Sequence, residues 1–399
     1  MIERGPAPGS RPLPRLVYVL GMVSFCTDLA SEMIVPLLPT LMTSLGASML
    51  QLGLLQGASD LVVAMLKVLS GRLSDRQRRR RPWLLWGYGI SSLLRPLFAF
   101  VGTPLQAISV RLLDRVGKGL RAAPRDALLT AAVPSDRRGH AFGVQRSLDH
   151  AGAVAGALVA SGLLFAGWEL RWVFAASLLP GLAALALIAF AVRDVEAPPT
   201  AKAPPAATTP PRSLYPVLVV VALSTISGAI DLFALARASQ LGVATVALPL
   251  LWVVLHLTRS LLAAPLGRIA DRLGCKAVIG TGLLGQALVL LAFATTANAT
   301  LLWPLFALLG LHAAFTEGAE RALVAAHAGT ANRGTIFGIY HAVHGLAAFV
   351  GALSLGALWD AHGASAAFTL ASLAAAIGFV ALLTLPPSNP QKSDSPPET

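Results

Sequence analysis

Apolar runs of roughly 20 residues follow one another along almost the whole chain, and no other feature restricts the fold as strongly. A run of that length crosses the ~30 Å hydrocarbon layer of a membrane as an α-helix. Backbone N–H and C=O groups inside lipid must be bonded within the segment, and the runs lack the alternation expected of a membrane β-barrel. We therefore predict an all-α integral membrane protein.

The composition agrees with this class. The 399 residues are 55% hydrophobic and only 13% charged, whereas a soluble domain carries about 25% charged residues. The two cysteines, Cys26 and Cys275, form no metal-type spacing. The sequence has no phosphate-binding loop and no metalloprotease or serine-hydrolase motif. We therefore expect no metal, no cofactor and no enzymatic activity.

Lysine and arginine are concentrated in alternate linkers between the apolar runs. Hydropathy predicts twelve spans near residues 15–42, 50–71, 83–102, 104–122, 140–165, 171–191, 214–239, 243–266, 277–296, 300–321, 335–358 and 364–385. The linkers after the second, fourth, eighth and tenth spans are basic, and the linkers that alternate with them contain no Lys or Arg. Because basic linkers stay in the cytoplasm, we predict a multi-pass inner-membrane protein with both termini inside. The net charge of +12 then reflects orientation, and we expect no binding to nucleic acid.

A Pro/Ala/Thr-rich segment divides the chain into two similar halves. We predict a cytoplasmic N-terminal tail (1–14), a six-helix bundle (15–191), a cytoplasmic linker (192–213), a second six-helix bundle (214–385) and a disordered cytoplasmic tail (386–399). Gly71-Arg-Leu-Ser-Asp75-Arg76 is matched in the equivalent linker of the second half by Gly267-Arg-Ile-Ala-Asp271-Arg272. Two repeated bundles that rock about a shared cavity are the physical basis of alternating access.

The two copies of this motif resemble the loop signature of the major facilitator superfamily, once in each half, and the resemblance covers residues 15–385. It implies a secondary transporter built from twelve helices in two six-helix bundles. In that family the motif is understood as a cytoplasmic latch, a role that the resemblance carries to Gly71, Asp75, Arg76, Gly267, Asp271 and Arg272.

Two further stretches carry the resemblance. Arg111, followed by Gly117 and Gly119, resembles the family's proton-coupling motif in the fourth span. The run TDLASEMIVPLLP, together with DRVGKGLRAAPRDAL, resembles a bacterial subgroup of efflux permeases.

Ionisable residues inside the predicted spans are the candidate functional residues, because a charge in lipid costs about 2.5 kcal/mol or more. Asp28 and Glu32 lie one turn apart on one face of the first span. Two such carboxylates favour proton coupling or cation recognition, and permanent structural ion pairs are the alternative. In the fourth span Arg111, Asp114 and Arg115 share one face. As functional residues, Arg111 and Arg115 bind a substrate anion or shift the pKa of the carboxylates. The alternative is an internal charge network that holds the first bundle together.

Embedded polar residues in the other spans complete the candidate set. They are Asp60, Arg95, Asp149, His256, Glu317 and His341. For each of them a place in the transport cavity and a structural contact both remain open. His341 and His344 share a helix face, but two histidines without a nearby cysteine do not indicate a metal site.

The leading hypothesis is a secondary transporter that exports a small amphiphilic organic compound in antiport with protons, with Asp28 and Glu32 exchanging protons and substrate. Sodium is the alternative coupling ion. A second hypothesis is proton-coupled uptake or facilitated diffusion of a polar metabolite, and a third is a transport-fold receptor or assembly factor without flux. An apolar, aromatic cavity would favour export, and a densely polar one uptake. The expected partners are a small-molecule substrate, protons and the lipid bilayer, with the chain acting as a monomer.

Overall fold

The computed structural model describes residues 12–76, 80–134, 137–194, 211–326 and 333–385. Within these ranges every regular element is a helix, as the apolar runs predict. The helices form twelve membrane segments, six in each half of the chain, and this confirms the predicted fold class.

The first half contains segments one to six. The first span consists of helix Arg15–Glu32, a 3-10 turn at Val35–Leu37 and helix Leu38–Ser44; the second is Met49–Arg76; the third is Arg81–Leu94, continued by a 3-10 stretch at Arg95–Phe100; the fourth is Pro104–Ala132; the fifth is Arg138–Phe165; and the sixth is Leu170–Ala176 with Leu178–Ala191.

The second half contains segments seven to twelve. The seventh span consists of Leu214–Gly228 and Asp231–Gln240; the eighth is a 3-10 turn at Thr245–Ala247 with Leu248–Leu273; the ninth is Cys275–Thr295; the tenth is a 3-10 turn at Ala299–Leu301 with Leu302–Ala326; the eleventh is Arg333–His362; and the twelfth is Ala364–Thr384.

Ten of these segments are long and apolar enough to cross a membrane on their own, and the third and fourth are the exceptions. The regular helix of the third span has only 14 residues. The fourth span is rich in charge, but Arg111, Asp114, Arg115 and Arg121 are all buried in the protein. A charged segment is stable at membrane depth when its charges face the bundle interior.

The first and seventh spans are both interrupted, for different reasons. In the first span Pro36 and Pro39 remove backbone donors, which accounts for the 3-10 turn between the two helices. The seventh span has no proline at its break, where Ala229 and Ile230 leave the helical path after Gly228. The sequence predicts a continuous span there, because an apolar run alone gives no sign of such a break.

The apolar core of the described residues shows where the halves meet. We call the end at which Arg76, Arg81 and Arg138 stand at helix ends the basic face, and the opposite end the short-linker face. The largest apolar cluster contains residues of both halves, including Phe174 and Phe233, and lies toward the short-linker face. Two further clusters lie toward the basic face, and each belongs to one half only. The halves are therefore packed together at the short-linker face and have separate cores at the basic face.

Glycines allow the second and eleventh spans to cross closely within this shared region. A Cβ added at Gly53 would lie 2.3 Å from the carbonyl oxygen of Ala352, and one at Gly57 would lie 2.8 Å from the Cα of Phe349. These distances leave no room for any side chain, so the two backbones touch directly.

Polar bonds between the halves reinforce this contact. The carboxylate of Asp360 accepts hydrogen bonds from the backbone N–H groups of Met49 and Leu50, each at 2.8 Å. It thereby caps the N-terminus of the second span from the other half. Ser161 Oγ donates to the carbonyl of Val246 at 2.7 Å and joins the fifth span to the eighth. We call Gly53, Gly57 and Asp360 the seal.

Candidate functional site

A cavity of about 310 Å³ lies between the two halves, at the lower end of the ~300–1,000 Å³ typical of small-molecule sites. We call it the central cavity. Its polar lining residues are Gln56, Asp60, Ser224, Thr225, Asp231, Arg259, Gln286, His312, Thr316, Glu317, Glu320 and His344. In the described part of the chain, no Phe, Tyr or Trp belongs to this lining.

The break in the seventh span forms part of the cavity wall. Gly228, Ala229, Ile230 and Asp231 all line the central cavity. Asp231 is the first residue of helix Asp231–Gln240, where the helix dipole favours a negative charge. Interrupted spans of this kind form the solute and ion sites of many secondary transporters. The break therefore places a carboxylate and non-helical backbone at the interface of the halves.

Acidic side chains outnumber basic ones in this cavity. Arg259 forms an ion pair with Glu317, and Ser224 Oγ donates a hydrogen bond of 2.6 Å to Glu320 Oε1. Asp60 and Asp231 have no ion-pair partner within 4.0 Å among the residues that the structure describes. The cavity thus holds carboxylates that protein cations leave unpaired.

Gln286 contributes an amide whose N–H donor has no partner. Its side chain lies in the ninth span, is 1% exposed and lines the central cavity. Gln286 Oε1 accepts a hydrogen bond from Ser227 Oγ at 3.1 Å, whereas Gln286 Nε2 has no partner. Buried amide groups are nearly always hydrogen-bonded, so this free donor marks a polar contact that the protein does not make by itself.

Four of the predicted site residues form a separate charge cluster in the first half. Asp114, which is fully buried, lies 3.0 Å from Arg95, 3.2 Å from Arg115 and 3.7 Å from Arg111. Arg95 also donates to the carbonyl of Thr27 at 2.8 Å. The cluster ties the first, third and fourth spans together, and none of its members lines the central cavity. This geometry favours the structural alternative for all four residues.

Asp28 and Asp149 lie in a smaller pocket of about 120 Å³ beside Lys118. Asp149 is bonded to Gln145 at 2.9 Å and lies 3.7 Å from Arg146. Asp28, by contrast, has no ion-pair partner within 4.0 Å in the described ranges. Asp28, like Asp60 of the central cavity, is therefore an embedded acid of the first half without an ion pair in the described ranges.

Glu32 reaches across the interface between the halves. Its Oε2 accepts a hydrogen bond of 2.8 Å from the indole N–H of Trp252 in the eighth span. The ring of His256 packs against Trp252 with centroids 4.8 Å apart, and both of its ring nitrogens are buried without a hydrogen-bond partner. Glu32 and Asp28 thus share a helix face but have different surroundings.

The remaining predicted residues are dispersed. Asp60 and Glu317 line the central cavity; His341 does not, and packs against Tyr340 with ring centroids 5.1 Å apart. Gly71, Gly267 and Arg272 lie toward the basic-face ends of the second and eighth spans. The side chains of three latch residues, Asp75, Arg76 and Asp271, lie outside the described part of the structure.

Sequence reasoning missed Gln56, Gln286 and His312, all of which line the central cavity. Charged residues are the costliest in lipid and therefore give the strongest sequence signal. A neutral amide such as Gln286, in the middle of the otherwise apolar ninth span, is a weaker signal of the same kind and could have been found.

Twelve helical segments in two halves, with a polar cavity at their interface, define a multi-pass membrane transporter of the alternating-access class. The sequence model of the Major Facilitator Superfamily matches residues 20–264 and 217–399, and the chain belongs to this family. It is therefore a secondary transporter of small molecules and not an enzyme.

Individual relatives agree with this assignment. A protein of Methanocaldococcus jannaschii described as an uncharacterized MFS-type transporter is 31% identical over 361 residues, which are 88% of this chain and 89% of that protein. A bacterial homologue of the human lysosomal transporter Spinster, inward-facing and unoccupied, has a TM-score of 0.74 at 15% identity over 93% of this chain and 97% of its own. The nucleoside transporter NupG has a TM-score of 0.77 at 12% identity over 93% and 99%. The two structures show a shared fold alone.

Proposed function

We propose that this transporter takes up a polar, hydrogen-bonding metabolite and couples the uptake to protons. The observation that supports this is the lining of the central cavity, which is densely polar and, over the described residues, contains no Phe, Tyr or Trp. An amphiphilic compound needs large apolar or aromatic side chains to bind, and the large apolar residues of this wall are Ile230, Leu255 and Leu309. The cavity therefore favours the polar-metabolite hypothesis over export of an amphiphile.

Proton coupling is supported by the unpaired carboxylates. Asp28, Asp60 and Asp231 line pockets at membrane depth without an ion pair inside 4.0 Å among described groups. A carboxylate in such a place is free to take up and release a proton during the cycle, whereas Asp114 is held by three guanidinium groups. A receptor without flux would be expected to have every embedded charge saturated. These free acids therefore favour transport, with protons as the coupling ion before sodium.

The proposed topology follows from the charge of the linkers. The basic face lies in the cytoplasm of a bacterial inner membrane, together with both termini, the tails 1–14 and 386–399 and the linker 192–213. In this topology the seal closes the cavity toward the periplasm, which supports an inward-facing state, and we propose that the chain acts as a monomer. The latch residues at the basic face would close in the opposite state.

The test is a flux assay in proteoliposomes. A panel of polar metabolites and amphiphilic dyes is offered with and without an inward proton gradient, and internal solute is measured by mass spectrometry. We expect one or more polar metabolites to accumulate with the gradient and to lose this accumulation when a protonophore is added. Accumulation driven by a sodium gradient instead, or movement of the dyes alone, would contradict the proposal.

Asp28→Asn provides the residue-level test. Because Asp28 has no ion pair to lose, we expect the variant to keep its melting temperature and to lose proton-driven flux. Glu169→Gln, an exposed acid paired with Arg171 at 2.7 Å, is the matched control and should transport normally. Wild-type flux in Asp28→Asn would remove Asp28 from the mechanism.

A further inference from the structure

We infer that the transported solute is a compact organic cation that also carries a hydroxyl or carbonyl oxygen, bound by the carboxylates of the central cavity and by the amide of Gln286. This inference rests on the proposed function, since it names the solute class of the same cavity. It is carried by two independent observations: an excess of acidic lining residues, and a buried amide donor without a partner.

The first observation is the charge balance. The ion pair with Arg259 accounts for Glu317, so three carboxylates remain, those of Asp60, Asp231 and Glu320. Over the described part of the chain, no second Lys or Arg belongs to the lining. Carboxylates in a confined, partly dehydrated space are stabilised by an opposite charge. An ammonium group brought in by the solute supplies that charge.

The arginines of the first half make no direct ion pair with these carboxylates in the described part of the chain. Arg95, Arg111 and Arg115 are held around Asp114, at 3.0 to 3.7 Å, outside the central cavity. Lys118 faces the smaller pocket that contains Asp28. The acidic wall of the central cavity therefore lacks a protein cation in direct contact, apart from Arg259.

The second observation is Gln286. Its Oε1 is used by Ser227, and its Nε2 is buried in the cavity wall without a hydrogen-bond partner. A donor left unsatisfied in the interior costs free energy, which is recovered when a solute oxygen accepts its N–H. Because this oxygen and the ammonium group must both fit into about 310 Å³, the solute is of metabolite size.

Matched trios of small molecules test the charge preference. Purified full-length protein in detergent is titrated by calorimetry with 4-aminobutanol, 1,4-butanediol and 4-hydroxybutyrate, and with glucosamine, glucose and glucuronate. We expect the cation of one or both trios to bind at least roughly tenfold more tightly than its neutral partner, and the anion to bind more weakly still. Equal or tighter binding of a neutral or anionic member, or no binding of either cation, would overturn the inference.

Variants of the lining test the residues. Asp231→Asn and Glu320→Gln should each lower the affinity of the cation roughly tenfold or more and leave that of the neutral partner unchanged. Glu320→Gln keeps an oxygen for Ser224, so it serves if Asp231→Asn does not fold. Glu169→Gln, exposed and far from the cavity lining, is the matched control and should bind like the wild type.

Gln286→Met tests the oxygen contact separately. It should weaken 4-aminobutanol about fivefold and leave butylamine, which has no oxygen, unaffected. An equal effect on both amines would mean that Gln286 acts only through packing. The ligand-free melting temperature of each variant is measured alongside, to show that it is folded.

The two proposals fail in different ways. A cation preference in the binding assay without proton-driven flux in proteoliposomes would refute proton coupling and leave the solute class standing. Proton-driven accumulation of a neutral or anionic solute would refute the solute class and leave the proposed function standing.

Discussion

Asp360 is expected to control the balance between the two conformations of the transporter. Its carboxylate bonds to the backbone N–H groups of Met49 and Leu50 at 2.8 Å each, and it comes from the opposite half of the chain. These bonds exist only while the halves are packed together at the short-linker face. Asp360→Ala should therefore destabilise the sealed state and leave the open one unchanged.

The magnitude follows from the contacts that are lost. Removing a helix-capping side chain costs about 0.5–2 kcal/mol. Asp360 is exposed, so salt screens the charged part of its interaction, and we expect about 1 kcal/mol. A change of that size shifts a two-state equilibrium about fivefold. The ratio of open to sealed molecules should rise by that factor.

Electron–electron double resonance measures this fraction. Spin labels are attached at Ala166→Cys and Ala297→Cys, exposed positions in short linkers of the two halves, after replacement of the free Cys26 and Cys275 by Ser. Protein in nanodiscs should show a second, longer label distance. The population of this distance, relative to that of the shorter one, should grow about fivefold in Asp360→Ala.

A matched control exists within one half. Asp194 bonds to the backbone N–H groups of Arg80 and Arg81 at 2.9 and 2.8 Å, and so caps the third span as Asp360 caps the second. Asp194→Ala removes the same kind of bond without crossing the interface, and it should leave the label distances unchanged. If both variants shift the distances equally, or neither does, the reasoning about the seal is wrong.

Three further predictions follow from other contacts. Asp114→Asn leaves three arginines around a neutral amide, and it should lower the free energy of unfolding by about 3–5 kcal/mol. A variant that unfolds like the wild type in a thermal melt but fails to transport would contradict the structural role of Asp114. Gly57→Ala should force the seal apart and lengthen the label distance, whereas Gly162→Ala, with nothing within 4 Å of the added Cβ, should not. A further pocket of about 190 Å³ is lined by Arg146 of the fifth span and by Arg259 and Arg321 of the second half. Added salt screens these charges, so it should speed the entry of a cationic solute in stopped-flow binding, and an entry rate that falls with salt would refute this.

Hydropathy and charge placement were sufficient to predict most of the fold. The shared face of Arg111, Asp114 and Arg115 also indicated that the fourth span turns its charges inward, and all three are buried. The break after Gly228 was not predictable, because it depends on packing against other spans and leaves no proline in the sequence.

The candidate site was predicted only in part. Spacing along one helix shows which residues share a face but not what the neighbouring helix places opposite them. Asp114 and Asp60 look alike in the sequence as embedded acids; one is surrounded by arginines and the other lines an open cavity. Only the arrangement of the helices separates these cases.

The apolar core is divided into one cluster shared by both halves and two private clusters, each within one half. This division opposes thermal stability to the rate of transport. Each half keeps its private cluster throughout the cycle, whereas the shared cluster has to be pulled apart whenever the transporter exposes its opposite side. Substitutions that tighten the packing of the shared cluster would raise the melting temperature but lower the transport rate. Engineering for heat resistance should therefore concentrate on residues such as Leu20 and Leu283, which lie in the private clusters.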